Sequence, residues 1–313
     1  MAVYLLRRVA LAVGVLWAAY TVSFVVLYLL PGDPVATMAA GGDGEPVSPA
    51  ELDALRAQYG LDQPLIVQYG TKLLAAVQGD FGRSFATGQD VSTAIGEALP
   101  STLQMSLCGL LVAIVFGSAV ALTATYTRSR WLRQVLMGLP SLAVSLPVFW
   151  VGLMLVQLFS FRLGLLPSVG ARGPEALVLP AITLGLPTGA LIAQVLAKSM
   201  SQALDEPYVT TARAKGVGEA GVHLRHALGN AVIPALTVFG YVVGNLLAGS
   251  VVVETVFTRP GLGRLTVSSV GVQDIPVVQG IVVFAAFVFV VVNLVVDLIY
   301  PVLDPRIATG AAV

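Results

Sequence analysis

The sequence predicts an all-α, polytopic membrane protein with six transmembrane helices and a structured external loop after the first helix. Three observations lead to this fold class. Of the 313 residues, 57% are hydrophobic and 11% are charged, whereas about 25% are charged in a soluble domain. Six apolar segments approach or exceed the roughly 20 residues that span a bilayer. Basic residues are concentrated in alternate connections between these segments. Since the net charge is zero, nothing suggests a nucleic-acid partner.

The predicted spans are long apolar stretches of the chain. They cover residues 9–30, 99–125, 134–160, 177–200, 231–256 and 279–302. The first stretch follows two arginines and continues without a small-residue cleavage site. We therefore expect it to be a retained transmembrane helix and not a signal peptide.

The connections between the spans differ in charge. Basic residues occupy the N-terminal tail, the second connection and the fourth: Arg7, Arg8, Arg128, Arg130, Arg133, Lys198, Arg213, Lys215 and Arg225. The first connection has nine acidic and three basic residues. Because cytoplasmic loops are rich in lysine and arginine, we expect both termini in the cytoplasm. The predicted parts are a tail with the first helix (1–30), an external loop (31–98), a five-helix core (99–302) that contains a cytoplasmic loop (201–230), and a cytoplasmic tail (303–313).

The external loop has helix signals of its own. In SPAELDALRAQYG, Ser48 and Glu51 form a capping-box pattern, Pro49 suits the first turn, and Gly60 suits the end. The following QPLIVQYGTKLLAAVQGD predicts an amphipathic helix. Its apolar face comprises Leu65, Ile66, Tyr69, Leu73, Leu74 and Val77. Two compatible interpretations are a lid on the span ends and a docking surface for an external protein.

Several predicted spans contain helix breakers. They are Pro140, Pro147, Pro180, Gly185, Pro187 and Gly189. Gly240 and Gly244 have the GxxxG spacing that allows two helices to approach closely. We interpret these residues first as packing and kink positions, and together they favour a bundle that moves. They do not distinguish a transporter from a channel.

The sequence contains no convincing catalytic, cofactor or metal site. His223 and His226 are three residues apart, but a metal would need further ligands. A phosphate-binding loop of the form GxxxxGK[ST] is absent, so we expect no nucleotide hydrolysis by this chain. Glu254 and Asp297 lie near span ends, where snorkelling or capping is the favoured interpretation. With no buried carboxylate relay, an ion-coupled carrier loses its main support.

A polar stretch between the fourth and fifth spans predicts a short cytoplasmic helix. Asp205 and Glu206 precede Pro207, which suits a helix start, and Gly216 is a good C-terminal stop. Small residues along this helix would suit insertion into a groove of another protein. A solvated connecting loop is the alternative.

The stretch YVTTARAKGVGEAGVHLRHALGNAVIP, residues 208–234, resembles the cytoplasmic EAA loop of binding-protein-dependent ABC importer permeases, in their peptide/nickel branch. Further segments resemble that branch in the same order: YLLPGDPV, YGLDQPLIVQY, GDFGRSF, LPSTLQMSL, PVFWVGLMLVQLF, LPAITLG, VFTRPGLGRL, DIPVVQG and NLVVDLIYPVLDPRI. The best match is the B-type permease subunit of dipeptide and oligopeptide importers.

The resemblance implies a type I ABC importer permease fold in a bacterial cell membrane. It implies that the chain forms half of a pore with a similar second permease subunit. Two ABC ATPase subunits, or one dual ATPase, would bind ATP and magnesium, and an extracytoplasmic solute-binding protein would deliver the substrate. The chain itself would hold no cofactor. The implied substrate is a dipeptide or short oligopeptide; nickel, glutathione or another small solute of the same branch is the alternative.

The resemblance also assigns site residues. The candidates for ATPase coupling are Glu206, Tyr208, Thr210, Thr211, Ala212, Arg213, Ala214, Lys215, Gly216 and His226. Gly229 departs from the family pattern, which has proline there, and would loosen the entry into the fifth span. Candidate pore-lining polar residues are Ser145, Gln194 and Asn245. A stand-alone secondary carrier and a membrane enzyme built on the two histidines remain as other hypotheses.

Overall fold

The computed structural model describes residues 2–29, 48–167, 170 and 173–303. These residues are mostly helical and form no β-strand. The helices are α1 (Ala2–Leu29), α2 (Pro49–Gln58), α3 (Leu65–Val77), α4 (Val91–Tyr126), α5 (Arg130–Ser145), α6 (Val148–Leu155), α7 (Val178–Leu204), α8 (Pro207–Ala214), α9 (Glu219–Gly221), α10 (Leu228–Thr237), α11 (Phe239–Val256), α12 (Leu262–Gly271) and α13 (Ile275–Leu303). A π-helical segment, Val156–Arg162, extends α6, and a second, Val222–Ala227, joins α9 to α10.

The structure confirms the all-α class but not six straight spans. Among the described residues, four helical stretches are long and apolar enough to cross a membrane: Leu6–Tyr28, Val91–Tyr126, Pro174–Leu204 and Ile275–Val296. The predicted third span is instead a pair, Arg130–Ser145 and Val148–Arg162, bent by 102°. The predicted fifth span is divided between α10 and α11, and the apolar stretch Gly240–Val256 has only 17 residues.

Proline explains the bend in the third span. Leu146 has the extended backbone that proline imposes on the residue before it, and α6 starts directly after Pro147. Pro140 and Pro187, in contrast, lie inside α5 and α7. Of these three prolines, only Pro147 lies at the junction of two helices.

The described residues divide into two compact units, one within 2–101 and 260–294 and the other within 102–259 and 295–303. In the second unit α7 is the central helix. Its buried residues contribute to two apolar clusters. One contains Leu179 and Leu184 with Val253 and Phe257 of the α11 end; the other contains Met200 with residues of α4 and α10.

Glycines bring the backbones of α4 and α7 into contact. A Cβ atom on Gly117 would lie 2.6 Å from the carbonyl oxygen of Gly189, and one on Gly185 would lie 2.6 Å from that of Gly109. Gly189 itself faces the carbonyl oxygen of Ala113. The predicted breakers Gly185 and Gly189 therefore act as packing positions in a continuous helix, as small residues do between membrane helices.

Glu254 corrects the interpretation of the acidic residues near span ends. Its side chain is completely buried, and its carboxylate accepts a hydrogen bond of 2.6 Å from Thr102 Oγ1. A snorkelling group would be exposed, so that interpretation of Glu254 is wrong. The side chain of Asp297 lies outside the described residues.

The predicted external helices are present in the first unit. Ser48 N donates to Glu51 Oε2 at 3.0 Å, and Glu51 N donates to Ser48 Oγ at 3.3 Å, which confirms the capping box at α2. These hydrogen bonds from Ser48 lower the pKa of the Glu51 carboxyl group. Gly60 follows with a φ of 64°, as expected for a helix stop.

The apolar face predicted for α3 is only partly packed. Tyr69 lies edge-on to Tyr20 and Phe24 of α1, with ring centroids 5.7 and 5.3 Å away. Ile66 and Val77 are 82% and 80% exposed. The aromatic residue therefore attaches α3 to α1, while the aliphatic part of the face is not covered by the described residues.

Asp274 fixes a polar loop in the first unit. Its carboxylate accepts hydrogen bonds from the hydroxyl of Ser84 at 2.5 Å, the backbone N–H of Phe85 at 3.1 Å and that of Ala86 at 3.3 Å. Asp274 is only 2% exposed. Buried carboxylates need such donors, so the GRSF and DIPVVQG segments form one structural element.

The glycine contact between α4 and α7 can be tested with matched substitutions. We expect Gly117→Ala to destabilise the chain by about 1–3 kcal/mol, because its methyl group collides with a backbone carbonyl. Gly138→Ala in α5 is the control, since a Cβ there meets nothing within 4 Å. Thermal unfolding of the purified chain in detergent measures both. Equal melting temperatures for the two variants would contradict the contact.

Candidate functional site

The predicted cytoplasmic helix is α8, Pro207–Ala214. Glu206 has an extended backbone and Pro207 occupies the first helical position, where its missing N–H costs no hydrogen bond. Gly216 ends the helix with a φ of 83°, a conformation that glycine adopts without strain. The start and stop signals in the sequence thus have the predicted structural roles.

The inner face of α8 is apolar and buried. Val209 and Ala212 pack against Val222, with Leu204 and Val217 beside them. Val209 and Val222 are completely buried. Ala212, which the sequence places with the coupling residues, therefore packs α8 onto its own chain and is not available at the surface.

The other coupling candidates on α8 and at its two ends form an exposed face. Its members are Glu206, Tyr208, Thr210, Thr211, Arg213, Ala214, Lys215 and Gly216. The hydroxyl of Tyr208 accepts a hydrogen bond of 2.9 Å from Asn230 Nδ2 of α10. Apart from Tyr208, Arg213 and Lys215, the face consists of short side chains and one carboxylate. It can approach a second protein closely.

An ion pair joins α8 to the segment after it. Arg213 donates from Nε to Glu219 Oε1 at 3.1 Å and from Nη2 to Glu219 Oε2 at 3.2 Å. These hydrogen bonds lower the pKa of the Glu219 carboxyl group. Both side chains are 43% exposed. The two-point geometry fixes the orientation of the side chains more than it stabilises the fold.

His223 continues this connection to the end of α4. Its Nδ1 lies 3.0 Å from the carbonyl oxygen of Glu219, and its Nε2 lies 3.3 Å from that of Thr125. The ring is 7% exposed and stands edge-on to Tyr126. We call the chain of contacts Arg213–Glu219–His223–Thr125 the coupling strut. Since both ring nitrogens of His223 face carbonyl oxygens, neither is directed toward a metal ion.

His226 lies apart from the coupling strut. It belongs to the same π-helical segment as His223, and its backbone carbonyl accepts a hydrogen bond of 3.4 Å from Asn230. Among the described residues, no group of three or more His, Cys, Asp or Glu side chains could hold a metal ion.

The pore-lining candidates belong to three different helices. Ser145 ends α5 and donates to the carbonyl of Leu142 at 2.8 Å. Gln194 of α7 lies 3.5 Å from Ser141, and Asn245 belongs to α11. All three are exposed, but no hydrogen bond joins any two of them in the described part of the chain. Their assignment to a pore stays a prediction.

Sequence reasoning missed several partnered polar residues. Glu219 and Thr125 were not singled out, although they complete the connection through His223. Asp274 and Thr102 were also missed. An acidic residue directly before Ile275-Pro276 is a helix-start signal that could have marked Asp274. A backbone carbonyl acceptor such as that of Thr125 has no sequence signal.

Comparisons with known proteins cover the whole length of the chain. Residues 113–309 match the family described as "Binding-protein-dependent transport system inner membrane component", and residues 1–106 match its N-terminal counterpart. A putative peptide transport system permease protein of Brucella suis is 40% identical over 98% of this chain and 99% of its own. The glutathione transport system permease protein GsiC of Salmonella choleraesuis is 41% identical over 97% of this chain and 98% of its own.

The fold resembles that of a solved structure. It is described as the crystal structure of an amino acid ABC transporter with histidines. Its TM-score is 0.50 at 17% identity, and the match covers 69% of this chain and 94% of that one. At this identity the likeness concerns the fold alone.

The departure at Gly229 gives a stability prediction. Gly229 is exposed within α10, and a Cβ there would meet nothing within 4 Å. Gly229→Ala should therefore stabilise the chain by about 0.5–1 kcal/mol, because alanine loses less backbone freedom in a helix. Thermal unfolding in detergent checks this. A lower melting temperature would mean that the glycine has a structural requirement beyond helix propensity.

Proposed function

The chain belongs to the family of binding-protein-dependent transport system inner membrane components, and from this premise we propose how it works. It is a membrane-spanning permease subunit of an ABC importer. We propose that it forms half of a translocation pore with a second, similar permease. In this proposal α8 is the element that engages the ATPase subunits, and a solute-binding protein delivers substrate on the other side of the membrane.

The main support for the proposal is that α8 has one buried and one exposed face. Its apolar inner face is buried within the chain, while its outer face presents small and polar side chains. A helix held in this way can transmit motion, because a displacement of its outer face also moves the segment around Val222 that packs against its inner face. The basic residues near α8 and Arg128 support a cytoplasmic position for this end of the protein.

The coupling strut gives a route for that displacement. Movement of Arg213 would pull on Glu219, and His223 would transfer the movement to the carbonyl end of α4. Since α4 and α7 are in backbone contact, they would respond together. ATP-driven closure of the partner ATPases would thereby reach the transmembrane helices, while hydrolysis itself takes place in those partners.

The proposed substrate is a dipeptide or short oligopeptide. The support is that close relatives are named as peptide and glutathione permeases. Glutathione is the second candidate, because it is a peptide-like solute and its permease is as similar to this chain as the peptide permeases are. Titrating the purified cognate solute-binding protein with dipeptides, longer peptides and glutathione tests this choice directly.

Attachment of the ATPases can be tested at Ala214, which is exposed on α8. We expect Ala214→Arg to abolish copurification of the co-expressed ATPases and substrate-stimulated ATP hydrolysis, because a bulky charge would block close contact of the outer face. Ala54→Arg, at an exposed position of α2, is the matched control and should leave ATPase copurification unchanged. If the ATPases copurify equally with both variants, α8 is not their binding site.

The coupling strut can be tested by exchanging its charges. Arg213→Glu and Glu219→Arg should each lower the amount of substrate transported per ATP hydrolysed by roughly twofold to fivefold, the range expected for one exposed ion pair. The double variant restores opposite charges and should recover the ratio. Reconstituted complexes in proteoliposomes provide both rates. If the double variant transports as little substrate per ATP as the two single losses added together predict, the ion pair does not provide the connection between α8 and the following segment.

A further inference from the structure

A cavity of about 360 Å³ lies in the first unit, between α1, α2, α3 and α13. Its size falls in the range of small-molecule sites. Aromatic side chains form much of its wall, and several polar groups line it. The residues on which the inference depends are Tyr20, Tyr28, Tyr59, Phe81, Lys72 and Gln279. The cavity belongs to none of the elements assigned to coupling.

Lys72 places a positive charge in this cavity. Its Nζ donates to the carbonyl oxygen of Tyr59 at 3.4 Å and lies 5.7 Å from the ring centre of Tyr28. In the described part of the chain no carboxylate lies within 4.0 Å of Nζ. Burial lowers the pKa of this ammonium group. A sheltered ammonium group whose direct contacts are a carbonyl oxygen and an aromatic ring is complementary to an anion.

Two further groups in the cavity have hydrogen-bonding capacity to spare. Tyr20 is 3% exposed and Gln279 is 5% exposed. Among the described residues, neither Tyr20 Oη nor Gln279 Nε2 forms a hydrogen bond of standard geometry, although the Gln279 side chain lies beside the Tyr20 hydroxyl. Buried polar atoms are nearly always satisfied, so these two neighbouring atoms in one cavity can both bind a ligand that accepts hydrogen bonds.

The side chains that line the cavity indicate which class of anion it would bind. Asp80 lines the same cavity, and its negative charge repels a ligand with two negative charges, such as hydrogen phosphate, more strongly than a ligand with one. A carboxylate has one charge and two acceptor oxygens, which match the ammonium, amide and phenol donors. The aromatic side chains would cover an apolar body. We propose that this cavity binds a small monocarboxylate, held by Lys72, Gln279 and Tyr20.

The proposed site can be tested by isothermal titration calorimetry on the purified full-length chain in nanodiscs of phosphatidylcholine. The probes are benzoate, benzamide and inorganic phosphate. Benzoate and benzamide have the same ring, and only benzoate has the carboxylate. We expect benzoate to bind roughly tenfold to a hundredfold more tightly than benzamide, the range for charge-assisted hydrogen bonds. Phosphate should bind more weakly than benzoate.

Matched variants locate the binding. Lys72→Met should lose benzoate binding by at least about tenfold, while Lys72→Arg keeps the charge and should retain most of it. Tyr20→Phe keeps the ring that packs on Tyr69 and removes only the hydroxyl. Lys198→Met, at an exposed position of α7, is the control and should bind as the unsubstituted chain does. Thermal unfolding verifies that each variant is folded.

The results show whether the cavity binds a carboxylate and whether that carboxylate belongs to a lipid or to a free solute. No benzoate binding, equal binding after Lys72→Met, or tighter binding of phosphate would overturn the proposal. Nanodiscs containing phosphatidylserine distinguish the two sources. Weaker apparent benzoate binding there would identify the lipid carboxylate as the ligand, and unchanged binding would identify a free solute. The measurement involves neither ATPases nor transport, so its failure would leave the transport proposal intact.

Discussion

The second unit depends on the direct backbone contact between α4 and α7. In a membrane the lipid is as apolar as the side chains, so helices associate mainly through close packing. Gly109 and Gly117 on α4 and Gly185 and Gly189 on α7 provide that packing by having no side chains to separate the backbones. The remaining surface of α7 is then free to support the apolar clusters with α6, α10 and α11.

The same helix pair frames the candidate coupling site. The chain passes from the end of α7 through Asp205 and Glu206 directly into α8. The end of α4 supplies the carbonyl group of Thr125 that faces His223. A displacement of α8 therefore meets both members of the pair at their ends. Because the glycine contact leaves no soft side chains between them, the pair is expected to move as one body.

Local signals in the sequence were sufficient to predict helix starts and ends, because these depend on residues only a few positions apart. Pro207 and Gly216 bound α8 as predicted, and Ser48 with Glu51 forms the expected capping box. Partners distant in the sequence were not predictable in this way. Glu254 resembles an interfacial acid in the sequence, and only the fold brings Thr102 to it.

Glycines and prolines show why the span count was the least predictable feature. Both residue types weaken helices in isolation, yet their effect here depends on what lies opposite. Gly185 remains helical because the backbone of α4 fills the space beside it. Pro147 produces a bend because the residue before it takes an extended conformation. The residue types alone therefore do not show whether a span bends, because the local backbone decides at Pro147 and the facing helix at Gly185.

The free energies of apolar burial and of ion pairing indicate which contacts hold α8 to the chain and which would transmit force. Full burial of a valine contributes about 1.5–3 kcal/mol, and both Val209 and Val222 are completely buried. An exposed ion pair such as Arg213–Glu219 contributes far less, because water and salt screen its charges. The apolar inner face therefore holds α8 to the chain, and the ion pair sets its rotation about that face. Force would pass mainly through Val209 and Val222, while Arg213, Glu219 and His223 would fix the direction in which α4 is moved.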